Sequence, residues 1–216
     1  MKFSQLIPNS RSKTAKVAAL IAAVVLPSAL AYAGYLAYTR FERKKYIKKI
    51  KDVLFLGDSQ SVTDNSYADL VSKNMDWNYD KISKVGAKTD YVLNEYRGST
   101  NNYDAVVVMI GGNDVWARGN SSQAIQNLKE IKALARKRQQ LVIFISPPSK
   151  RFYSLDSTKL SEYDKIRKWM KSNADLFVDG TSVTDSENLF LNDKLHLNLE
   201  GQNQIAYHFT EALREL

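Results

Sequence analysis

Short apolar runs alternate with amphipathic stretches along the chain after Lys51. Five apolar runs predict β-strands, and the third and fourth are apolar throughout, which is typical of central strands buried on both faces. The predicted strands are Val53–Gly57, a weak one near Tyr79–Val85, Ala105–Gly111, Leu141–Ser146 and Leu176–Gly180. Between and after them, helical spacing of apolar residues predicts helices over Ser122–Arg138, Lys159–Met170 and Gly201–Leu216.

This alternation of strands and helices predicts a parallel sheet covered by helices on its faces. We therefore expect residues 52–216 to form one α/β domain, a flavodoxin-like three-layer sandwich. In that architecture the functional side chains gather where the strands end, at the carboxyl edge of the sheet. We see no internal repeat and no low-complexity tract in the chain.

The N-terminal part follows a different pattern. Residues 17–38 read "VAALIAAVVLPSALAYAGYLAY", 22 residues without a charge, and a helix of that length can cross a hydrocarbon core of about 30 Å. We interpret this segment as a transmembrane anchor, between a basic tail at residues 1–16 and a basic juxtamembrane linker at residues 39–51. A cleaved signal peptide is the alternative, because "ALA" or "AYA" in the segment fits a cleavage site. The apolar stretch continues beyond both sites, which favours the anchor.

The charge of the chain is concentrated in this N-terminal arm. Residues 1–51 hold 11 of the 31 Lys and Arg residues and one of the 23 acidic residues, a net charge of +10. Residues 52–216 are left with 20 basic and 22 acidic residues, a net charge of −2. A domain this close to neutral lacks the basic surface that nucleic-acid binding requires, so we expect no nucleic-acid partner.

Four short motifs follow the predicted strands. The first strand ends in "GDSQ" at residues 57–60, the second leads to Gly86 in "KVGAK", and the third leads to "GGND" at residues 111–114. A loop after the fifth strand holds "DKLH" at residues 193–196, followed by "LNLEG". One serine, one glycine, one asparagine and one histidine would therefore meet at the carboxyl edge of the sheet.

This set of motifs resembles the SGNH hydrolases, also called the GDSL-like esterase superfamily. Their four blocks centre on Ser, Gly, Asn and His, in this order, on a flavodoxin-like fold. The resemblance runs from about Val53 to the C-terminus, and it is carried by "FLGDSQS", "IGGND" and "NDKLHLNLEGQNQIA". It implies Ser59 as the nucleophile, His196 as the general base and then acid, and Asp193 as the group that orients the imidazole.

The resemblance also implies an oxyanion hole made by the backbone N–H groups of Ser59 and Gly86 and by the side-chain amide of Asn113. The residue types suit the chemistry, since a serine hydroxyl needs a base about 3 Å away and a carboxylate must fix the tautomer of that base. Asp and His three residues apart can share one turn. Asp114, beside the asparagine, is expected to be structural.

Other polar residues near these motifs have lesser expected roles. Ser61 lies beyond the expected nucleophile turn, and His208 falls within the last amphipathic helix, where packing or surface exposure is expected. Gln60 stands where many relatives carry Leu, and we expect its side chain to supply a polar contact to substrate. With two histidines and no cysteine, we expect no metal site, no disulfide and no cofactor.

These observations predict a membrane-anchored serine esterase that acts on O-acetyl or other short acyl esters of cell-envelope carbohydrate, such as peptidoglycan or surface polysaccharide. The alternatives are a lipid-directed esterase (a lysophospholipase or thioesterase), an O-acyltransferase, and a silent membrane-anchored binding protein. Substrate access favours an extracytoplasmic domain, whereas four Lys and Arg residues before the apolar segment and seven after it favour a cytoplasmic one. The oligomeric state is left open.

Overall fold

The computed structural model describes residues 49–148 and 156–215, which belong to one compact unit, Ile47–Leu216. Its strands are β1 (Asp52–Gly57), β2 (Asn78–Ser83), β3 (Ala105–Met109), β4 (Leu141–Ile145) and β5 (Leu176–Val178). All pair in parallel in the order β2-β1-β3-β4-β5, which is the flavodoxin-like strand order. The predicted α/β class and parallel sheet are confirmed.

Helices follow every strand. They are α1 (Ser59–Val62), α2 (Tyr67–Met75), α3 (Thr89–Gly98), α4 (Gly112–Arg118), α5 (Ser122–Lys137), α6 (Ser157–Asn173), α7 (Gly180–Val183) and α8 (Leu199–Glu215), with a 3₁₀ turn at Glu187–Leu189. The three long helices expected from periodicity are present, with each end within three residues of its predicted position.

Two cores lie on opposite faces of the sheet. Alternate strand residues such as Phe55 and Val107 pack with α2 and α8 on one face, whereas Leu56 and Val108 pack with α3, α5 and α6 on the other. Every residue of β3 is fully buried, as its uninterrupted apolar character predicts. This arrangement is the three-layer sandwich that the sequence predicts.

Four strands end one or two residues earlier than predicted, and β3 and β5 do so for clear local reasons. The third ends at Met109 rather than Gly111, because Gly111 has φ +116 and leads directly into α4. The fifth ends at Val178 rather than Gly180, because the Asp179 side chain accepts a hydrogen bond from the Ser182 N–H and caps α7. Both changes turn the chain at the carboxyl edge of the sheet.

The predicted anchor at residues 17–38 lies outside the described residues, together with the basic tail and most of the linker. Among the helices within residues 49–148 and 156–215, none is both long enough and apolar enough to span a bilayer.

Candidate active site

Ser59 lies at a tight turn between β1 and α1, residues 57–60, which we call the serine turn. Asp58 precedes it as the N-cap of α1, and its Oδ1 accepts the Gln60 N–H at 3.1 Å. Gly57 is required there, because a Cβ at that position would stand 2.1 Å from the Ser61 Oγ. The turn leaves Ser59 partly exposed at the carboxyl edge of the sheet. Ser61, by contrast, is fully buried and donates its hydroxyl to the Tyr67 hydroxyl at 3.2 Å.

His196 reaches this turn from the loop at residues 190–198, before α8, which we call the histidine loop. Its Nε2 lies 2.9 Å from the Ser59 Oγ, although the two residues are 137 positions apart. Its Nδ1 lies 2.6 Å from Asp193 Oδ2, so the ring donates from Nδ1 and accepts the serine hydroxyl at Nε2. The three side chains that the family resemblance selects therefore form one continuous hydrogen-bonded chain.

Asp193 also shapes the backbone that carries the histidine. Its Oδ1 accepts the N–H groups of Leu195 and His196, both at 2.9 Å. Desolvation alone would raise the pKa of the Asp193 carboxyl, but the hydrogen bonds from the His196 ring and from these N–H groups lower it to about 2. The carboxylate stays ionised at neutral pH and can stabilise a positive imidazolium beside it.

Asn113 lies at the start of α4, on the other side of the serine turn. Its side-chain nitrogen donates to the Ala87 carbonyl at 3.0 Å and approaches Asp58 Oδ2 at 3.4 Å. Ala87 follows Gly86, which has φ +71 in the turn closed by the Ala87 N–H and the Lys84 carbonyl. The Ala87 bond therefore ties the loop of Gly86 to Asn113, and both lie beside the serine turn.

Asp114 holds α4 in place. Its carboxylate is fully buried and accepts the Thr89 N–H at 2.9 Å, the Thr89 hydroxyl at 2.7 Å and the Arg118 guanidinium at 2.8 Å. The hydrogen-bond network extends to α5, because Asn127 donates to the Thr89 hydroxyl at 2.9 Å. These contacts connect α4 to α3 and α5, which confirms the structural role expected of Asp114.

Asp58 is a buried acid that the sequence did not single out. Burial raises the pKa of its carboxyl to about 6, against smaller opposing effects from the Gln60 N–H and from His196. Between about pH 4 and pH 6 the folded protein therefore holds a proton that the unfolded chain releases, so rising pH reduces stability through this window. Above it, the cost of the buried charge is constant.

We expect Asp58→Asn to raise the free energy of unfolding by about 1–3 kcal/mol at pH 8, because a neutral amide replaces the buried carboxylate. The Asn oxygen can still accept the Gln60 N–H and cap α1, while its NH₂ replaces the oxygen that faces Asn113 at 3.4 Å, which offsets part of the gain. Urea unfolding of both proteins at pH 8 and at pH 4 measures the effect, and the gain should vanish at pH 4. A wild-type protein more stable than the variant at pH 8 would contradict a destabilising buried charge at Asp58.

Gln60 is placed differently from its expected role. The side chain is 5% exposed, its Nε2 donates to the Leu195 carbonyl at 2.8 Å, and its Oε1 accepts the Leu197 N–H at 3.2 Å. Both the nitrogen and the oxygen of the amide are therefore bonded to the histidine loop, which is a different role from the expected contact to substrate. The only sequence signal was the departure from the Leu common in relatives.

His208 lies on the exposed side of α8, with its ring against that of Tyr207 at 5.3 Å between centroids. It is exposed, which agrees with the expected surface role. Within residues 49–148 and 156–215, no three His, Asp or Glu side chains are grouped closely enough to hold a metal ion.

Comparison with known proteins identifies a family that matches most of the described residues. The model of the GDSL-like Lipase/Acylhydrolase family matches residues 55–204. No curated protein sequence matches the chain significantly.

Solved structures, several of them named as esterases, share the fold. An acetylxylan esterase, Axe2 from Geobacillus stearothermophilus, has a TM-score of 0.65 at 15% identity, covering 76% of this chain and 94% of its own. TesA has a TM-score of 0.64 at 18% identity, covering 77% and 100%. The psychrotrophic esterase EstA from Pseudoalteromonas sp. has a TM-score of 0.59 at 16% identity, covering 76% and 97%.

Proposed function

This chain belongs to the GDSL-like lipase/acylhydrolase family and is an SGNH carboxylic ester hydrolase, and we propose that Ser59, His196 and Asp193 are its catalytic triad. One observation carries the proposal. The His196 ring lies 2.9 Å from the Ser59 Oγ through Nε2 and 2.6 Å from Asp193 through Nδ1. That is the distance and tautomer that a general base needs to activate a serine hydroxyl.

In the proposed mechanism the Ser59 Oγ attacks the ester carbonyl carbon while its proton passes to His196 Nε2. The tetrahedral intermediate collapses when the imidazolium gives that proton to the leaving alkoxide, which departs as the alcohol. Water then attacks the acyl-serine, with His196 taking the proton of the water and returning it to Ser59. Asp193 stays ionised throughout and stabilises the imidazolium.

We propose that the backbone N–H groups of Ser59 and Gly86 and the side chain of Asn113 bind the oxyanion. The Asn113 amide nitrogen has two hydrogens, one on the Ala87 carbonyl at 3.0 Å and one towards Asp58 at 3.4 Å. The longer contact is the weaker one, so the hydrogen facing Asp58 is the one that can turn to the developing oxyanion. Such a donor contributes about 10²–10³ in rate.

For the substrate we propose a short acyl ester of carbohydrate, and specifically an O-acetyl group on a cell-envelope glycan. Two features support this choice over lipid esters. The structural relatives include an enzyme named acetylxylan esterase. The chain also carries an exposed aromatic side chain beside the site, Trp116, which is 51% exposed.

Trp116 lies one helical turn after Asn113 on α4, so the two side chains share a face of that helix. The ammonium group of Lys159 lies 4.2 Å from the indole centroid. An exposed indole is a flat apolar surface, and the apolar face of a sugar ring can pack against it. The Lys159 ammonium covers one face of the indole, so the sugar ring would pack on the other face, and the lysine supplies hydrogen-bond donors nearby.

We expect Trp116→Ala to raise KM for an acetylated xylooligosaccharide by about 5–20-fold, which corresponds to about 1–2 kcal/mol of lost contact. The kcat should change by less than about twofold, because the lost contact is equal in the ground and transition states. Trp116→Tyr is the matched variant and should retain most of the affinity. Equal KM values for all three proteins would remove Trp116 from the sugar site.

Acetate release from acetylated xylan and acetylated peptidoglycan tests the substrate proposal, alongside a series of p-nitrophenyl esters from acetyl to palmitoyl. The proposal expects activity to be highest with acetyl and acetate to be released from glycan. A maximum at long acyl chains would favour the lysophospholipase or thioesterase alternative. Transfer of acetyl to a second glycan in place of water would favour an acyltransferase.

For localisation we propose a single-pass membrane protein, anchored through residues 17–38, with the catalytic domain outside the cytoplasm. The 22 uncharged residues of this segment and the location of envelope glycans support it. The excess of Lys and Arg after the segment opposes it. A reporter protein fused after Leu216, active only outside the cytoplasm, decides between the orientations.

A further inference from the structure

The side chain of Gln60 connects the serine turn to the histidine loop. Gln60 follows Ser59 directly, and its side-chain amide contacts the backbone on both sides of His196. Its Nε2 donates to the Leu195 carbonyl at 2.8 Å, and its Oε1 accepts the Leu197 N–H at 3.2 Å. The amide therefore pairs with this backbone as a neighbouring strand would.

The orientation of the Gln60 amide follows from its partners. A carbonyl can only accept a hydrogen bond and an N–H can only donate one, so exchanging the oxygen and nitrogen of the amide would break both bonds. The residue is 5% exposed, and a buried amide without partners is costly. Glutamine is thus held in one orientation, and no apolar residue of the same size can make these two bonds.

A second buried glutamine contacts the backbone of Gln60 rather than its side chain. Gln202 on α8 donates to the Gln60 backbone carbonyl at 3.1 Å, and its Oε1 accepts the Tyr67 N–H at 2.8 Å. It is also 5% exposed. Gln202 thus joins α1, α2 and α8, but it makes neither of the two bonds that flank His196.

The histidine loop needs such a connection. The Asp193 and His196 side chains are 47% and 34% exposed, and their mutual hydrogen bonds hold the ring only within the loop. A bridge between Phe190 and Leu197 fixes the loop to itself. Neither contact sets the distance from His196 Nε2 to the Ser59 Oγ, which depends on how the loop sits against the serine turn.

We propose that Gln60 is a positioning residue that holds the general base in register with the nucleophile. This inference rests on the proposed triad, and it adds a residue that touches neither substrate nor the reacting atoms. A displacement of about 1 Å between reacting groups can cost up to about 10²-fold in rate. Loss of both bonds is expected to lower the rate by less than that factor. The packing of Leu197 in the core also holds the histidine loop in place.

Gln60→Met tests the proposal, since it keeps the side-chain length and removes both bonds. We expect kcat for a short acyl ester to fall by about 10–30-fold, with KM within about twofold. Labelling of Ser59 by a fluorophosphonate, which needs the same activated hydroxyl, should slow by a similar factor. Gln60→Leu, with the residue common in relatives, should behave in the same way.

Gln202→Met is the matched control, because it removes an equally buried glutamine amide from the same network and leaves both bonds to the histidine loop. It should lower thermal stability at least as much as Gln60→Met while keeping kcat within about threefold. Gln60→Met with wild-type kcat and wild-type labelling overturns the inference. Equal losses of kcat in the two folded variants overturn it as well, since the effect would then be general destabilisation.

The same experiment separates this inference from the proposed function. A wild-type protein that is folded but acquires no fluorophosphonate adduct on Ser59 contradicts the triad itself, and both proposals fall together. A wild-type protein that is labelled, with Gln60 variants labelled at the same rate, contradicts only the role of Gln60. Mass spectrometry of the labelled peptide locates the adduct in each case.

Discussion

Ser59→Ala is expected to lower kcat by at least about 10⁴-fold, because no other group near the ester carbonyl can form the acyl intermediate. The hydroxyl is partly exposed and lies 2.9 Å from His196 Nε2, so its loss should leave the rest of the site in place. Hydrolysis of p-nitrophenyl acetate by purified wild type and variant measures the effect. The fluorophosphonate adduct on Ser59 should disappear with the activity.

Ser61→Ala is the matched control for this prediction. Ser61 is in the same short helix but fully buried, with its hydroxyl on Tyr67. Its replacement should cost about 1 kcal/mol of stability and leave kcat within a few-fold of wild type. If Ser61→Ala loses the activity and Ser59→Ala keeps it, the nucleophile has been assigned to the wrong serine.

Much of the fold could be predicted because its signals are local. The apolar runs of β3 and β4 are buried on both faces, and the long helices α5, α6 and α8 show helical spacing over many turns. The short helices α1 and α4 carry no such signal, since four and seven residues are too few to establish a period. Their existence follows from Asp58 and Gly111, which turn the chain where strands end.

The meeting of the site residues follows from the parallel topology. Ser59 and Asn113 lie two and four residues after the ends of the adjacent strands β1 and β3, whose carboxyl ends lie together at one edge of the sheet. His196 is brought there by a longer path, and the local spacing from Asp193 predicts only their mutual hydrogen bond. The two hydrogen bonds between Gln60 and the histidine loop join residues that are 135 and 137 positions apart. No local sequence pattern predicts them.

Asp58 and Gln60 show why polar residues are harder to interpret than apolar ones. Each stands in a motif beside Ser59, where a polar side chain could face either substrate or protein. The choice is made by tertiary packing, which buries both at 5% exposure. Burial then raises the pKa of the Asp58 carboxyl. It also requires hydrogen-bond partners for the Gln60 amide, which the histidine loop supplies. Neither consequence can be obtained from residue type and spacing.

Asp193→Asn is expected to lower kcat by about 10³–10⁴-fold, and more than Asp193→Ala does. The carboxylate accepts two backbone N–H groups at Oδ1 and the imidazole N–H at Oδ2. An asparagine can keep the backbone bonds only with its oxygen there, which places its NH₂ against His196 Nδ1. Nδ1 must then accept, so the proton moves to Nε2 and the ring can no longer take the proton of Ser59.

Alanine at position 193 leaves the imidazole tautomer free, so a fraction of the rings keeps an unprotonated Nε2. The asparagine variant should be the more stable of the two. Asparagine preserves the turn at Leu195 and His196, whereas alanine loses both of its hydrogen bonds. Measurements of kcat and of the thermal midpoint test both expectations. The asparagine variant should have the lower kcat and the higher thermal midpoint. An asparagine variant that is both more stable and more active than the alanine variant would mean that Asp193 maintains the loop without setting the tautomer of the base.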